Sequence, residues 1–156
     1  MGAVPKSTCL KFYNNTISRI IPPELGRSTK LHVLDLSFNH LVGQILKELG
    51  KLTSVFHLNL VDNQLSGGIP VEIGMLSNLQ FLILSAHNLT GSFPKQILRC
   101  KKLLNFSLSK NKIRGSVPTE IGNIQFIQMF DLSENFLIGK IPPQLRELRS
   151  LVKCQA

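Results

Sequence analysis

Residues 55–78 read VFHLNLVDNQLSGGIPVEIGMLSN, and residues 31–54, immediately before them, read LHVLDLSFNHLVGQILKELGKLTS. Both stretches fit one pattern, LxxLxLSxNxLxGxIPxxLGxLxx, with apolar residues at the same spacings. The 24-residue period continues through 79–102, 103–126 and 127–150, with a partial repeat at 7–30 and a stub at 151–156. A fixed period of this length is typical of stacked repeats, so the sequence predicts a single repeat domain over residues 1–156.

The LxxLxL half of each unit alternates apolar and polar residues at the two-residue period of a β-strand. One such unit cannot bury its apolar side alone, so successive units are expected to stack their strands in parallel. Later apolar residues, such as Ile69, Ile73 and Leu76, would close the core from the opposite side. The pattern therefore predicts an α/β solenoid: a right-handed array of about six repeats with a parallel sheet on the concave face and short helical turns on the convex side.

An asparagine recurs at the turn after the predicted strand in five of the six units. The members of this predicted ladder are Asn15, Asn39, Asn63, Asn111 and Asn135. A buried amide there could bond backbone groups of neighbouring units that would otherwise lose about 1–3 kcal/mol each. In unit 79–102 the ladder position is His87, whose neutral ring offers one donor fewer than an amide. Glycines recur four residues after the ladder position and predict positive φ there.

Charge is strongly unbalanced. Lys and Arg number 18 against 9 Asp and Glu, and the net charge of +9 favours acidic partners. Seven cations fall within twenty residues that contain no carboxylate, which predicts a solvated basic face. They are Lys95, Arg99, Lys101, Lys102, Lys110, Lys112 and Arg114.

The three cysteines, Cys9, Cys100 and Cys154, are too widely spaced for a disulfide framework or a zinc site. We expect buried thiols, and Cys100 stands at a core Leu position. No apolar segment near the start resembles a signal peptide, and no apolar run is long enough to span a bilayer. We therefore predict no membrane insertion by this chain.

The motif LSxNxLxGxIPxxLG resembles the ectodomains of plant leucine-rich-repeat receptor-like kinases, over nearly the whole chain. That resemblance implies an extra short strand per unit and a twisted superhelix. It also implies a plasma-membrane parent protein whose extracellular side binds peptides, hormones or co-receptor ectodomains. The chain carries no glycine-rich phosphate loop, His-Arg-Asp or Asp-Phe-Gly motif, so we expect a truncated receptor without its kinase and no enzymatic activity.

Outward-pointing strand and turn positions form columns 24 residues apart, which are the natural recognition surface of such an array. We predict ligand contacts at Phe38, His57, Asn59, Phe81, Ile83, Ser107, Met129 and Asp131. The alternative is that these residues vary without a ligand. Three N-glycosylation sequons begin at Asn14, Asn88 and Asn105, and a glycan at Asn105 would obstruct this face.

The expected partner is a peptide or protein ligand, including a co-receptor ectodomain, with no nucleic acid, metal or cofactor. End-to-end self-association is a further expectation, because the first and last units look uncapped. Two other functions remain open. The chain could be a stand-alone inhibitor of the polygalacturonase-inhibiting type, or the product of a receptor serine/threonine kinase locus whose catalytic part is missing.

Overall fold

The computed structural model describes residues 8–151 and 153–155, so Ser7 of the partial repeat and Val152 and Ala156 of the stub lie outside it. The strands are β1 Thr8–Lys11, β2 Ser18–Arg19, β3 Leu31–Asp35, β4 His40–Gln44, β5 His57–Asn59, β6 Gln64–Gly67, β7 Phe81–Ile83, β8 Asn88–Leu89, β9 Asn105–Ser107, β10 Arg114–Gly115, β11 Met129–Asp131, β12 Phe136–Leu137 and β13 Lys153–Gln155. Six short 3-10 helices alternate with them: η1 Pro23–Arg27, η2 Lys47–Lys51, η3 Val71–Met75, η4 Lys95–Arg99, η5 Thr119–Asn123 and η6 Pro143–Glu147.

The odd-numbered strands form one parallel sheet of seven strands in the order β1-β3-β5-β7-β9-β11-β13. Its register follows the sequence period, because His57 pairs with Phe81, and Phe81 pairs with Asn105, each 24 residues apart. β13, from the stub, adds a seventh strand to those of the six longer units. The predicted solenoid, with a parallel sheet on one side and short helical turns on the other, is confirmed.

The extra short strands implied by the LxGxIP half are also present. β2, β4, β6 and β8 form a second parallel sheet, whereas β10 and β12 form a separate pair. Between β8 and β10 the link is reduced to an isolated bridge from Ser92 to Arg114. The glycines that follow the ladder have the predicted positive φ, from 76° at Gly67 to 91° at Gly139.

The stack of 3-10 helices on the convex side is irregular at the same junction, and Leu98 explains why. At the same repeat position Gly74 packs so closely on the next unit that an added Cβ would lie 2.3 Å from the carbonyl oxygen of Gln96. Gly50 is equally tight against Glu72, at 2.5 Å. Leu98 brings a side chain to this point, and η4 packs less extensively on η5 than η3 packs on η4. The array is therefore less tightly stacked between units 79–102 and 103–126.

The core is a continuous column of Leu and Ile along the array, into which three aromatic rings are inserted. Phe106 contacts Phe93 at a centroid distance of 6.1 Å and Phe130 at 5.8 Å. Cys100 is fully buried, and burial raises the pKa of its thiol to about 11, as expected for an inert core residue. The expectation of buried thiols is wrong for Cys9, which is exposed because β1 is an edge strand.

Candidate functional site

The asparagine ladder fixes the turns beside the concave sheet. Nδ2 of Asn63 donates to the carbonyl oxygens of Leu60, 2.9 Å away in its own turn, and Leu36, 3.1 Å away in the preceding unit. Its Oδ1 accepts from the backbone N–H of Leu41 at 2.9 Å. The same three kinds of bond are made by Asn39, Asn111 and Asn135. Asn15, in the first unit, is exposed and bonds the carbonyls of its own turn. Adjacent units are thereby held at a fixed spacing.

His87 interrupts the ladder. It is 7 % exposed, and neither ring nitrogen has a hydrogen-bond partner. Burial lowers the pKa of His87, and the neighbouring backbone groups of Asn63 and Leu60 and the Asp62 carboxylate offset this only in part. The residue is a neutral, poorly satisfied substitute for an amide, which agrees with a structural role.

The first predicted column lies on the open face of the main sheet. His57 lies on β5, Phe81 on the adjacent β7, and Met129 at the same register position on β11. His57 and Phe81 are half-buried, and Met129 is exposed. The rings of His57 and Phe81 are in contact, with centroids 5.4 Å apart and planes tilted by 31°. Burial lowers the pKa of His57 and is the largest effect on it. The negative charge of Asp35 raises this pKa, and the positive charge of Lys11 lowers it further. A half-buried neutral imidazole and an aromatic ring thus form one continuous surface.

A second column lies two residues further along the same strands and consists of Asp35, Asn59, Ile83, Ser107 and Asp131. Most of its polar members bond their own turns. The Asp131 carboxylate accepts from the backbone N–H of Ser133 at 3.0 Å and from its hydroxyl at 2.7 Å. Asn59 Oδ1 accepts in the same way from the backbone N–H of Val61, at 3.2 Å. These Asx turns shape the end of each strand, and they leave the outer parts of the side chains partly exposed.

Ser107, which was also expected to contact a ligand, is 7 % exposed. Its hydroxyl lies 2.6 Å from that of Ser85 and 3.2 Å from that of Ser109. Ser85 and Ser109 were not singled out from the sequence, since a serine at these points fits both exposed and buried positions. The three serines form a buried row beside Ile83, which is itself half-buried on the concave face. Phe38 is well exposed in the turn after β3, where its φ is 53°.

The basic run divides between two sides of the molecule. Lys95 and Arg99 lie on η4 on the convex side, with Lys101 and Lys102 in the turn that follows. The other three cations, Lys110, Lys112 and Arg114, follow β9. Nζ of Lys110 is 3.9 Å from Oε1 of Glu134, and the guanidinium group of Arg114 lies over the ring of Phe136. All seven are exposed, as predicted, but they do not form the single basic face that the run indicated, because the chain crosses the concave strand β9 between Lys102 and Lys110.

The three sequons differ in accessibility. Asn14 and Asn88 are exposed, in a turn and on a short second-sheet strand. Asn105 is half-buried on the concave face, and its Oδ1 has no hydrogen-bond partner. The hydroxyl that completes its sequon belongs to the buried Ser107.

In the part of the chain that the structure describes, no three His, Cys, Asp or Glu side chains are grouped in a way that could hold a metal ion. Over the same residues, no helix has the length and apolar character required to cross a bilayer.

Comparison with known proteins agrees with this architecture. The family described as Leucine Rich Repeat matches residues 30–52 and 54–76. No curated protein sequence matches the chain. Several solved structures do match it. The plant peptide hormone receptor RGFR1, in complex with RGF2, is 37 % identical with a TM-score of 0.91, covering 92 % of this chain and 23 % of the receptor chain.

Two structures from Arabidopsis are also similar. The receptor kinase HAESA, in complex with the peptide hormone IDA and the co-receptor SERK1, is 32 % identical with a TM-score of 0.89, covering 91 % of this chain and 24 % of the matched chain. The ectodomain of the receptor kinase SOBIR1 is 30 % identical with a TM-score of 0.76, covering 83 % of this chain and 72 % of the SOBIR1 chain. The chain spans about a quarter or less of RGFR1 and HAESA. With the 24-residue period, the asparagine ladder and the second sheet, these matches show that the chain belongs to the leucine-rich-repeat ectodomains of plant receptor kinases.

Proposed function

We propose that the concave face of this chain binds a peptide or a protein segment, as a non-catalytic recognition module. The observation that carries this proposal is the open side of the main sheet. Parallel sheets usually have both faces covered by other layers. Here the outward-pointing His57 and Phe81 are partly exposed and Met129 is exposed, so no described element covers this face. It presents the contacting His57 and Phe81 rings next to Ile83, in the middle of the array.

Rigidity supports the same function. The strands that carry these side chains are held in register by backbone pairing and by the ladder on both sides, at Asn63 and Asn111. A preorganised surface loses little conformational entropy when a ligand binds. Aromatic side chains on such a surface are frequent energetic centres of protein interfaces.

The relatives support a peptide ligand and a co-receptor as partners. RGFR1 is bound to RGF2, and HAESA is bound to the peptide hormone IDA and to SERK1. We propose the same class of partner here, with the binding surface on the extracellular side of a plasma membrane. Defence and glycoprotein roles are extensions of this proposal that follow from the family resemblance and the sequons.

A selection with a random peptide library against the folded chain would test the proposal. We expect selected peptides to bind the Phe81→Ala/Ile83→Ala variant at least about tenfold more weakly, a loss of about 1.4 kcal/mol or more. A matched control removes apolar surface from the convex side, at Val71 and Met75, which are also exposed. We call the Phe81→Ala/Ile83→Ala protein the concave variant. The proposal would be overturned if selected peptides bound the concave variant as tightly as the wild type, or if they lost affinity in the Val71→Ala/Met75→Ala control.

A further inference from the structure

A separate surface of the molecule is strongly basic. It comprises the last residue of each 3-10 helix and the turn that leads from that helix to the next concave strand. Its cations, which we call the basic flank, are Arg27, Lys30, Lys51, Arg99, Lys101, Lys102 and Arg149. All seven are exposed, and the same repeat positions hold a single carboxylate, Glu147.

Contacts between units align the turns of the flank, whose cations come from units 7–30, 31–54, 79–102 and 127–150. Nδ2 of Asn78 donates to the carbonyl oxygen of Thr53, 3.1 Å away in the preceding unit. Nζ of Lys102 donates to Oδ1 of Asn78 at 2.7 Å, which extends the contact into the next unit. The turns are thus stacked in a row along the array. The cations lie along this row, with gaps at units 55–78 and 103–126, whose turns carry no charge.

Acidic groups are concentrated elsewhere. Glu24, Glu48, Glu72 and Glu120 occupy one position near the start of the 3-10 helices, whereas Asp35, Asp62, Asp131 and Glu134 lie at the ends of concave strands or in the turns after them. Unit 79–102 holds no carboxylate, because Gln96 replaces the glutamate there. Among the described residues, the ion pair within 4.0 Å is Lys110–Glu134, away from the flank. The flank cations are consequently not neutralised by ion pairs with described residues.

The flank lacks the usual arrangement of a protein–protein interface, in which an apolar centre is surrounded by a polar rim. Its centre is the most charged part, at Arg99, Lys101 and Lys102. The exposed apolar side chains, Met75 and Phe126, lie in the units on either side of that centre. An elongated row of cations with a charged centre suits a linear polyanion, whose binding is driven by charge and counterion release.

We infer that the basic flank binds an acidic linear polysaccharide that carries a carboxylate on each sugar. Isolated Phe126 cannot supply the succession of stacking rings used to hold single-stranded nucleic acid. The polysaccharide would lie along the array and contact Arg27, Lys51 and Arg99 in turn. Because this surface is distinct from the concave face, the peptide ligand and the polysaccharide could be bound together.

The test compares two triple variants that remove the same charge from the same basic run. The flank variant is Arg99→Gln/Lys101→Gln/Lys102→Gln, and the control is Lys110→Gln/Lys112→Gln/Arg114→Gln. Binding of an end-labelled oligogalacturonate to each folded chain is followed by fluorescence anisotropy at several salt concentrations. We expect the flank variant to bind at least about tenfold more weakly, with a slope of log K against log salt shallower by about 2. The control should stay within about threefold of the wild type.

Equal losses in both variants would show that net charge alone is responsible and would overturn the inference. So would the absence of oligogalacturonate binding by the wild type at low salt. Duplex DNA and vesicles containing an anionic phospholipid serve as competing polyanions. If either bound more tightly than the oligogalacturonate and lost affinity in the flank variant, the assignment to a polysaccharide would be wrong. Loss of peptide binding in the concave variant leaves this inference unaffected, because that variant should bind oligogalacturonate normally.

Discussion

Nδ2 of Asn111 donates to the carbonyl oxygen of Leu84 across the junction between two units, at 2.8 Å, and this is the bond that His87 fails to make one unit earlier. At the ladder positions on either side of His87, the amide satisfies carbonyls of two units and one N–H. The defect at His87 is therefore local, and it lies in the turn that follows β7, the strand that carries Phe81 and Ile83.

Restoring the ladder should stabilise the protein. We expect His87→Asn to raise the free energy of unfolding by about 0.5–1.5 kcal/mol, the net contribution of a typical hydrogen bond. Thermal and urea unfolding would measure the change. His40→Asn is the matched control, because His40 is exposed and lies outside the ladder. A neutral or destabilising effect of His87→Asn would show that the ring already fits this turn as well as an amide.

The same histidine should make the fold sensitive to acid. The pKa of His87 and that of His57 are both lowered from 6.5 in the folded chain, chiefly by burial, so the unfolded chain binds protons more readily. Stability should therefore fall as the pH decreases below about 6.5, and it should not change through these groups above about pH 7.5. Melting temperatures measured across this range would show the trend. In His87→Asn the decline should be smaller, with the remainder due to His57, and an unchanged decline would contradict the assignment to His87.

Close stacking of the 3-10 helices should make Gly74 intolerant of a side chain. Because an added Cβ would lie 2.3 Å from the carbonyl oxygen of Gln96, we expect Gly74→Ala to destabilise the fold by about 1–3 kcal/mol. Gly68 provides the control, since the nearest atom to its added Cβ is 4.0 Å away and its φ is not in the left-handed region. Gly68→Ala should be neutral or slightly stabilising. Equal effects of the two substitutions in urea unfolding would rule out the steric explanation.

The sequence predicted the features that recur in every unit. Alternation within LxxLxL placed His57 and Phe81 on one face, and the 24-residue period placed them side by side, as the register confirms. It did not predict the burial of Ser107, because that depends on a hydroxyl–hydroxyl contact with Ser85 in the neighbouring unit. Nor did it predict the looser junction at Leu98, which required the distance between Gly74 and the next turn. Contacts between units that recur in every unit, such as the ladder bonds, follow from the pattern, whereas contacts made by one particular residue depend on distances that the pattern does not give.

The ends of the array expose side chains that inner units cover. Ile141 is 77 % exposed, whereas Phe93 and Ile45, at the same repeat position, are buried. Together with Phe130 and Leu137 it lines an apolar cavity of about 330 Å³ at the C-terminal end. At the other end the exposed apolar side chains are Phe12 and Tyr13, which follow the edge strand β1, and Ile17 and Ile20, which flank β2.

A second copy of the chain could continue the stack at either end, since unpaired parallel edges with apolar groups beside them are templates for association. Such a head-to-tail contact does not close on itself, so we expect open oligomers that grow with protein concentration. Size-exclusion chromatography with light scattering over a range of concentrations would detect them. Ile138→Arg/Ile141→Lys should shift the distribution towards monomer, because it places charges beside the C-terminal cavity. Val71→Lys/Met75→Lys adds the same charge in the middle of the convex side and should leave association unchanged. A sharply melting, concentration-independent wild-type monomer would contradict the expectation and show that the ends are protected within the chain itself.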